Sequence, residues 1–84
     1  MELSWDIHAW EDYLYWQQTD KMVLKRVNDL IKDCLREPFG GIGKPEPLKA
    51  NLKHFWSRRI TDEHRLVYTV IGNRVHIIQC RFHY

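Results

Sequence analysis

The chain of 84 residues has only two cysteines, four glycines and three prolines, and no long apolar run. Each shortage excludes something. Cys34 and Cys80 lie far apart with no CxxC spacing, so neither a disulfide scaffold nor a thiolate metal knuckle is expected. Cys34 sits in a helical pattern and Cys80 in a strand pattern, and both read as buried, reduced thiols. The opening Met1-Glu2-Leu3-Ser4-Trp5-Asp6 lacks the basic start and apolar stretch of an export signal. No apolar run approaches the roughly 20 residues that cross a bilayer. A soluble cytoplasmic protein without a membrane partner is therefore expected. The histidines, His8, His54, His64, His76 and His83, show no HxxxH spacing, and no acidic cluster accompanies them. No metal and no cofactor are expected. Gly40-Gly41-Ile42-Gly43-Lys44 lacks the spacing and the Ser/Thr of a nucleotide-phosphate loop, and reads as a hinge. Ser57, Cys34 and Cys80 have no evident base beside them, which argues against a nucleophilic mechanism.

Aromatic residues are plentiful, with four Trp, four Tyr and three Phe. Each buries a large area, which offsets the poor surface-to-volume ratio of so short a chain and lets it fold as a single domain over residues 1–84. Trp5, Trp10, Trp16 and Trp56 read as core or interface. The net charge of +2 hides an asymmetry: residues 1–37 carry eight acidic and five Lys/Arg side chains (−3), residues 38–84 three and eight (+5). A polyanion is the natural partner of the basic half, although the same charges are also what a solvated sheet carries.

Leu3-Ser4-Trp5 alternates as a short strand. Asp6 suits a helix N-cap, followed by Ile7, Trp10 and Leu14 at helical spacing with Tyr13 and Trp16 beside them. Thr19 or Asp20 caps a second helix, whose stripe is Val23, Val27, Leu30, Ile31 and Cys34. Its wet face carries Lys21, Lys25, Arg26, Asp29, Lys32 and Asp33. Glu37-Pro38-Phe39 ends it. After the glycine loop, prolines 45 and 47 stiffen the chain around Glu46. Phe55 to Ile60 alternates, with Trp56, Arg58 and Ile60 on one face and Phe55, Ser57 and Arg59 on the other. Turns at residues 61–64 and at Gly72-Asn73 then separate Arg65–Ile71 from Arg74–Cys80 as antiparallel hairpins. The expected fold is α+β: two antiparallel helices on one face of a twisted antiparallel sheet, with a short N-terminal strand. A two-residue loop at Gly72-Asn73 sets Val70 against Val75 and Tyr68 against Ile77. Straight continuation then leaves His83 on the face away from Arg65. A longer loop or a bulge is needed to unite them.

One loop carboxylate, several arginines and a terminal His-Tyr suit metal-free RNA cleavage. In that reaction the ribose 2′-hydroxyl attacks its own 3′-phosphate and the next 5′-oxygen leaves. A base must take the 2′ proton, an acid must protonate the leaving oxygen, and cations must stabilise the phosphorane. Histidine is the natural acid near neutral pH, and arginine offers bidentate donors to phosphate. Each residue also has a plain reading. Glu46 is equally a solvated loop charge, Arg65 a surface charge, and His83-Tyr84 an ordinary strand end.

Several blocks narrow the choice. Asp12-Tyr13-Leu14-Tyr15-Trp16, Asp29-Leu30-Ile31-Lys32-Asp33, Gly43-Lys44-Pro45-Glu46-Pro47-Leu48-Lys49, Phe55-Trp56-Ser57-Arg58-Arg59-Ile60, Glu63-His64-Arg65-Leu66-Val67-Tyr68 and His83-Tyr84 resemble the YoeB toxins of the RelE superfamily. The resemblance spans the whole chain. It implies a fold like the small microbial ribonucleases, and the toxin of a type II toxin–antitoxin system that cleaves mRNA in the ribosomal A site and inhibits translation. It assigns Glu46 as general base, His83 as general acid, Arg65 as phosphorane stabiliser and Tyr84 as an orienting or assisting group. Lys44, Lys49 and Arg59 are implied contacts to RNA or ribosomal phosphates. The implied partners are a YefM-type antitoxin, mRNA and the 70S ribosome, operator DNA only through the antitoxin complex, and a second copy in a homodimer. Ile42, Cys34, Met22 and the Asn73–His76 hairpin depart from the pattern without touching a catalytic position. Two rival functions remain: a non-catalytic ribosome- or RNA-binding module that blocks translation by occupancy, and an inactive interaction protein kept for operon control.

Overall fold

The structure, a computed structural model, describes residues 1–49 and 54–82. In chain order it contains β1 (Glu2–Trp5), α1 (Ile7–Thr19), α2 (Lys21–Arg36), β2 (Glu46–Pro47), β3 (Phe55–Arg59), β4 (Arg65–Ile71) and β5 (Arg74–Gln79). The Asp6 side chain accepts from His8 N–H to start α1. Asp20 closes α1 and opens α2, its carboxylate accepting from the N–H groups of Met22 and Val23. Two helices thus meet across a single residue, each with its first turn capped by an aspartate.

The strands form one sheet in the order β1-β5-β4-β3-β2. Four of them are antiparallel, as the hairpin pattern requires, but β1 joins the edge of β5 in parallel. The sheet is therefore mixed. The two helices supply the long connection that a parallel neighbour requires, and local alternation carries no information about strand direction.

The helices cover one face. Val27, Leu30, Ile31 and Cys34 of α2 pack on Ile60, Leu66, Tyr68, Val75 and Ile77, as the α2 stripe predicts. The α1 stripe differs from expectation. Ile7 and Trp10 are exposed, at 63% and 39%, while Ala9 and Trp16 are buried with Tyr13 packed between them. Residues 9, 13 and 16 share a helical face, and the small Ala9 lets α1 approach closely enough for the Cys80 thiol to reach its carbonyl. Side-chain size had pointed to the wrong face. Trp16 is core, and its indole N–H donates to Cys80 O at 2.8 Å. Trp5 and Trp10 form an aromatic cluster with Tyr13.

The hairpin registers decide which residues reach the other sheet face. Val70 pairs with Val75 and Tyr68 with Ile77, so the Gly72-Asn73 loop has two residues. The pairing then shifts between Tyr68 and Val67, and Val67 faces Gln79. Of the two devices considered, the fold uses the bulge, with Ile78 as the additional residue. The bulge returns Cys80 to the core and brings Gln79 to the face that carries Arg65 and Val67.

Candidate active site

The uncovered face of the sheet carries the candidate residues in adjoining rows. Glu46 on β2 pairs with Ser57 on β3, which pairs with Val67 on β4 and through it Gln79 on β5. Arg59 and Arg65 face each other in the next row. Across these rows Glu46 Oε1 lies 3.5 Å from Arg65 Nη1, so two of the expected catalytic residues meet. Arg65 is only 17% exposed, while Glu46 is 53% exposed. A long and half-wet ion pair of this kind contributes about 0–1 kcal/mol. It parts easily for an incoming anion. Beneath it the Ser57 hydroxyl and Arg65 Nε are buried and have no hydrogen-bond partner among the described residues. Arg65 Nε therefore keeps an unused donor under the ion pair, while Nη1 faces Glu46 at the surface.

Of the residues expected to contact RNA, Lys44 and Lys49 are exposed beside Glu46. Lys44 sits at φ 53° directly after Gly43. Arg59 is 46% exposed and lies 3.6 Å from Asp62. His83 and Tyr84 lie outside the described residues.

The loop before Glu46 is anchored, in contrast to the hinge that its glycines suggest. The anchor is Arg58, whose side chain is wholly buried. Its Nη1 donates to Asp33 Oδ2 (2.7 Å) and Ile42 O (3.0 Å), its Nη2 to Glu37 O (2.6 Å) and Gly40 O (2.7 Å), and its Nε to the Tyr68 hydroxyl (3.1 Å). The Tyr68 hydroxyl in turn donates to Pro38 O at 2.6 Å. All three guanidinium nitrogens are engaged, and four loop carbonyls end on this one cluster. Asp33 is therefore no solvated helix charge. Arg36, Ile42 N–H and Arg58 all donate to it, and together hold its carboxyl well below the usual carboxylate range. Burial opposes the Arg58 charge, but the bonds to Tyr68 and Asp33 outweigh that and raise its pKa. Burial pushes the Tyr68 hydroxyl up to about 12. Gly41 is required at its place: its φ is +97°, and a Cβ there would collide with the Asp33 carboxylate. From this anchor the chain runs through Gly43, whose carbonyl accepts from Arg59 N–H at 2.7 Å, into Glu46.

The chain leaving β5 is held as closely. Cys80 N–H donates to Asp12 Oδ2 at 3.2 Å, and burial raises that carboxyl above its usual range. The Arg81 guanidinium lies 3.5 Å from the centroid of the Tyr15 ring. Phe82 has φ 65°, a left-handed conformation that costs an aromatic residue about 1–2 kcal/mol. Its N–H donates to His64 Nδ1 at 2.8 Å, and its carbonyl accepts from Arg65 N–H at 3.0 Å.

Sequence reasoning passed over Arg58 and Asp33. A charge on the same strand face as Trp56 and Ile60 was the available signal, since a cation on a core face demands a buried partner. His64 lies within the Glu63–Tyr68 block that carries the family resemblance, which assigns it no role. Both thiols are buried, and burial pushes Cys34 up to about 11 and Cys80 up to about 12, which suits core residues. Among the described residues no group of three His, Cys, Asp or Glu side chains could hold a metal ion, and no helix is long and apolar enough to cross a membrane.

Fold and site together define the class as a small α+β domain: a helix pair on a five-stranded sheet, with an open face bearing an acid, several basic side chains and an anchored loop. Residues 5–84 match the family model of the YoeB-like toxins of bacterial type II toxin–antitoxin systems. The chain belongs to that family. It is 61% identical over 84 residues to toxin YoeB of Escherichia coli K12, covering the whole of both chains. Among solved structures, a YoeB/ParE toxin from Agrobacterium tumefaciens superposes with a TM-score of 0.97 at 53% identity, covering both chains completely. Two structures from Staphylococcus aureus, a YoeB dimer (TM-score 0.92, 48% identity) and a YoeB–YefM complex (TM-score 0.91, 47% identity), each cover all of this chain and 98% of theirs.

Proposed function

We propose that this toxin is a ribosome-dependent endoribonuclease that cleaves mRNA in the ribosomal A site by metal-free acid–base chemistry and so inhibits translation. The observation that carries this reading is the 3.5 Å meeting of Glu46 and Arg65 on the open sheet face. Glu46 takes the proton of the ribose 2′-hydroxyl as its oxygen attacks the adjacent phosphorus. The bond from phosphorus to the 5′-oxygen breaks, leaving a 2′,3′-cyclic phosphate, and His83 protonates the departing oxygen. Arg65, with spare donors, stabilises the charge that builds on the phosphorane, and Tyr84 orients or assists. Lys44, Lys49 and Arg59 hold flanking RNA or ribosomal phosphates through charge. The bulge supports the reading, because a one-residue shift in β5 is what uniting His83 with Arg65 requires. A YefM-type antitoxin is the cognate partner, operator DNA is met only through that complex, and two copies pair as in the staphylococcal dimer. The site of action is the cytoplasm.

The test is expression of Glu46→Gln, Arg65→Ala and His83→Gln in growing cells. Each variant relieves growth arrest while keeping a native circular dichroism spectrum, since losing a general acid or base costs about 10²–10⁴ in rate. Primer extension on messages from cells expressing the unmodified toxin then shows discrete 5′ ends within codons. Arrest by all three variants, or arrest without such ends, overturns the reading. The second outcome would favour a module that blocks translation by occupancy.

A further inference from the structure

His64 has no part in the proposed chemistry, yet it is among the most constrained side chains near it. The turn before β4 fixes its backbone from both sides. Its N–H donates to Thr61 Oγ1, and its carbonyl accepts from the N–H groups of Ile60 and Thr61. Its ring is wedged edge-on against Trp16, with centroids 4.8 Å apart, and against Phe82 at 5.7 Å. Trp16 is core and is itself pinned to Cys80 O. The imidazole therefore has little freedom, and its Nδ1 accepts the Phe82 N–H at 2.8 Å. Because a backbone amide can only donate, Nδ1 is bare and the ring proton sits on Nε2. The next residue, Arg65, grips the same residue from the other side, through Phe82 O. Phe82 holds a left-handed conformation that an aromatic residue does not choose unaided. It is also the last residue before His83.

We infer that His64 is a positioning residue for the general acid: by accepting the Phe82 amide at the left-handed turn, it holds the backbone of the residue that directly precedes His83 in sequence. The inference rests on the proposed role of His83. It predicts a defect confined to the step in which the leaving oxygen is protonated.

Two variants separate the acceptor from the ring. His64→Phe keeps a ring against Trp16 but offers no acceptor, whereas His64→Asn places an amide oxygen near the position of Nδ1. Single-turnover cleavage is measured with the full-length toxin on ribosomes programmed with an A-site codon, carrying either a normal linkage or a 5′-bridging sulfur at the scissile bond. A thiolate leaves without protonation, so a defect in acid positioning vanishes on the sulfur substrate. On the normal linkage His64→Phe loses about tenfold or more in cleavage rate, the scale of one well-aligned hydrogen bond, while KM changes little. His64→Asn recovers most of that loss. On the sulfur substrate both His64→Phe and His83→Gln approach the unmodified toxin, while Glu46→Gln stays impaired. If His83→Gln is rescued by sulfur and His64→Phe is not, the positioning role is refuted and the acid assignment stands. If His83→Gln is not rescued, the acid assignment itself falls and the inference with it. Should His64→Phe fail to fold by circular dichroism, His64→Leu takes its place as the variant without an acceptor, and a deficit on oxygen that persists on sulfur overturns the inference.

Discussion

Replacing Tyr68 by phenylalanine removes one atom from the cluster that anchors the Glu46 loop and opens no cavity worth the name. That oxygen accepts from Arg58 Nε at 3.1 Å and donates to Pro38 O at 2.6 Å. Tyr68 is fully buried, as is the Arg58 side chain, so water does not replace either bond without rearrangement. Two hydrogen bonds contribute about 0.5–1 kcal/mol each, and the stranded N–H of a buried cation adds roughly another 1–2 kcal/mol, for a loss of about 2–4 kcal/mol. With 84 residues and an unfolding entropy near 2.1 cal/mol/K per residue, the melting temperature falls by about 10–20 °C. Tyr13→Phe is the internal comparison, because its hydroxyl makes a single part-buried bond to Asn28. It should lower Tm by about 4–8 °C, the equivalent of one kcal/mol. Thermal and urea unfolding followed by circular dichroism measure both. A Tyr68→Phe protein that melts no lower than Tyr13→Phe would refute the view that Arg58 and Tyr68 form one load-sharing cluster.

The acid limb of stability should belong in good part to Asp33. Its folded pKa is depressed, so the unfolded chain binds the extra proton; the stabilisation is complete above the ordinary carboxylate range and is lost as pH falls below it. Urea midpoints across that range in the parent and in Asp33→Asn test this, and an equally steep acid decline in the variant would contradict it. Gly41→Ala combines a positive φ with a Cβ placed against the Asp33 carboxylate, so it should destabilise by more than the about 1 kcal/mol typical of a strained left-handed alanine. Urea unfolding with Gly40→Ala as comparison reads it, since a Cβ at Gly40 meets only Glu37 side-chain atoms at 3.4 Å or more.

Much of this architecture was legible in the residues, and the parts that were not share a cause. The α2 stripe, the Asp6 cap and the place of the Gly72-Asn73 turn followed from period and turn chemistry, which act over a few neighbouring positions, whereas the length of that loop stayed open. The direction of β1, the bulge at Ile78 and the buried face of α1 depend on what packs across the sheet, and local pattern is silent on that. Glu46 and Arg65 came together as expected because the match between β2, β3 and β4 preserved their face. Arg58 was misleading in the opposite sense: alternation placed it correctly on the core-facing side, yet its partners are backbone carbonyls of a loop 16 to 21 residues upstream. Carbonyls carry no sequence signature.

The anchors beneath the site meet on β4. Tyr68 faces the helices and receives Arg58, which fixes the loop leading into Glu46. Three residues earlier Arg65 faces outward, and its own N–H holds Phe82 at the end of the chain. The register shift falls between them, at Val67 and Tyr68. One strand therefore presents the proposed phosphate-binding cation and fastens both the loop leading to the proposed base and the residue preceding the proposed acid. The shift is the device that lets a core-packed Ile77 and an outward Gln79 coexist on the neighbouring strand. Because both flanks are tied to buried groups, geometry at the open face is set by core packing. Substitutions in the core that leave the fold intact should therefore disturb cleavage more than substitutions among the exposed lysines of the same face.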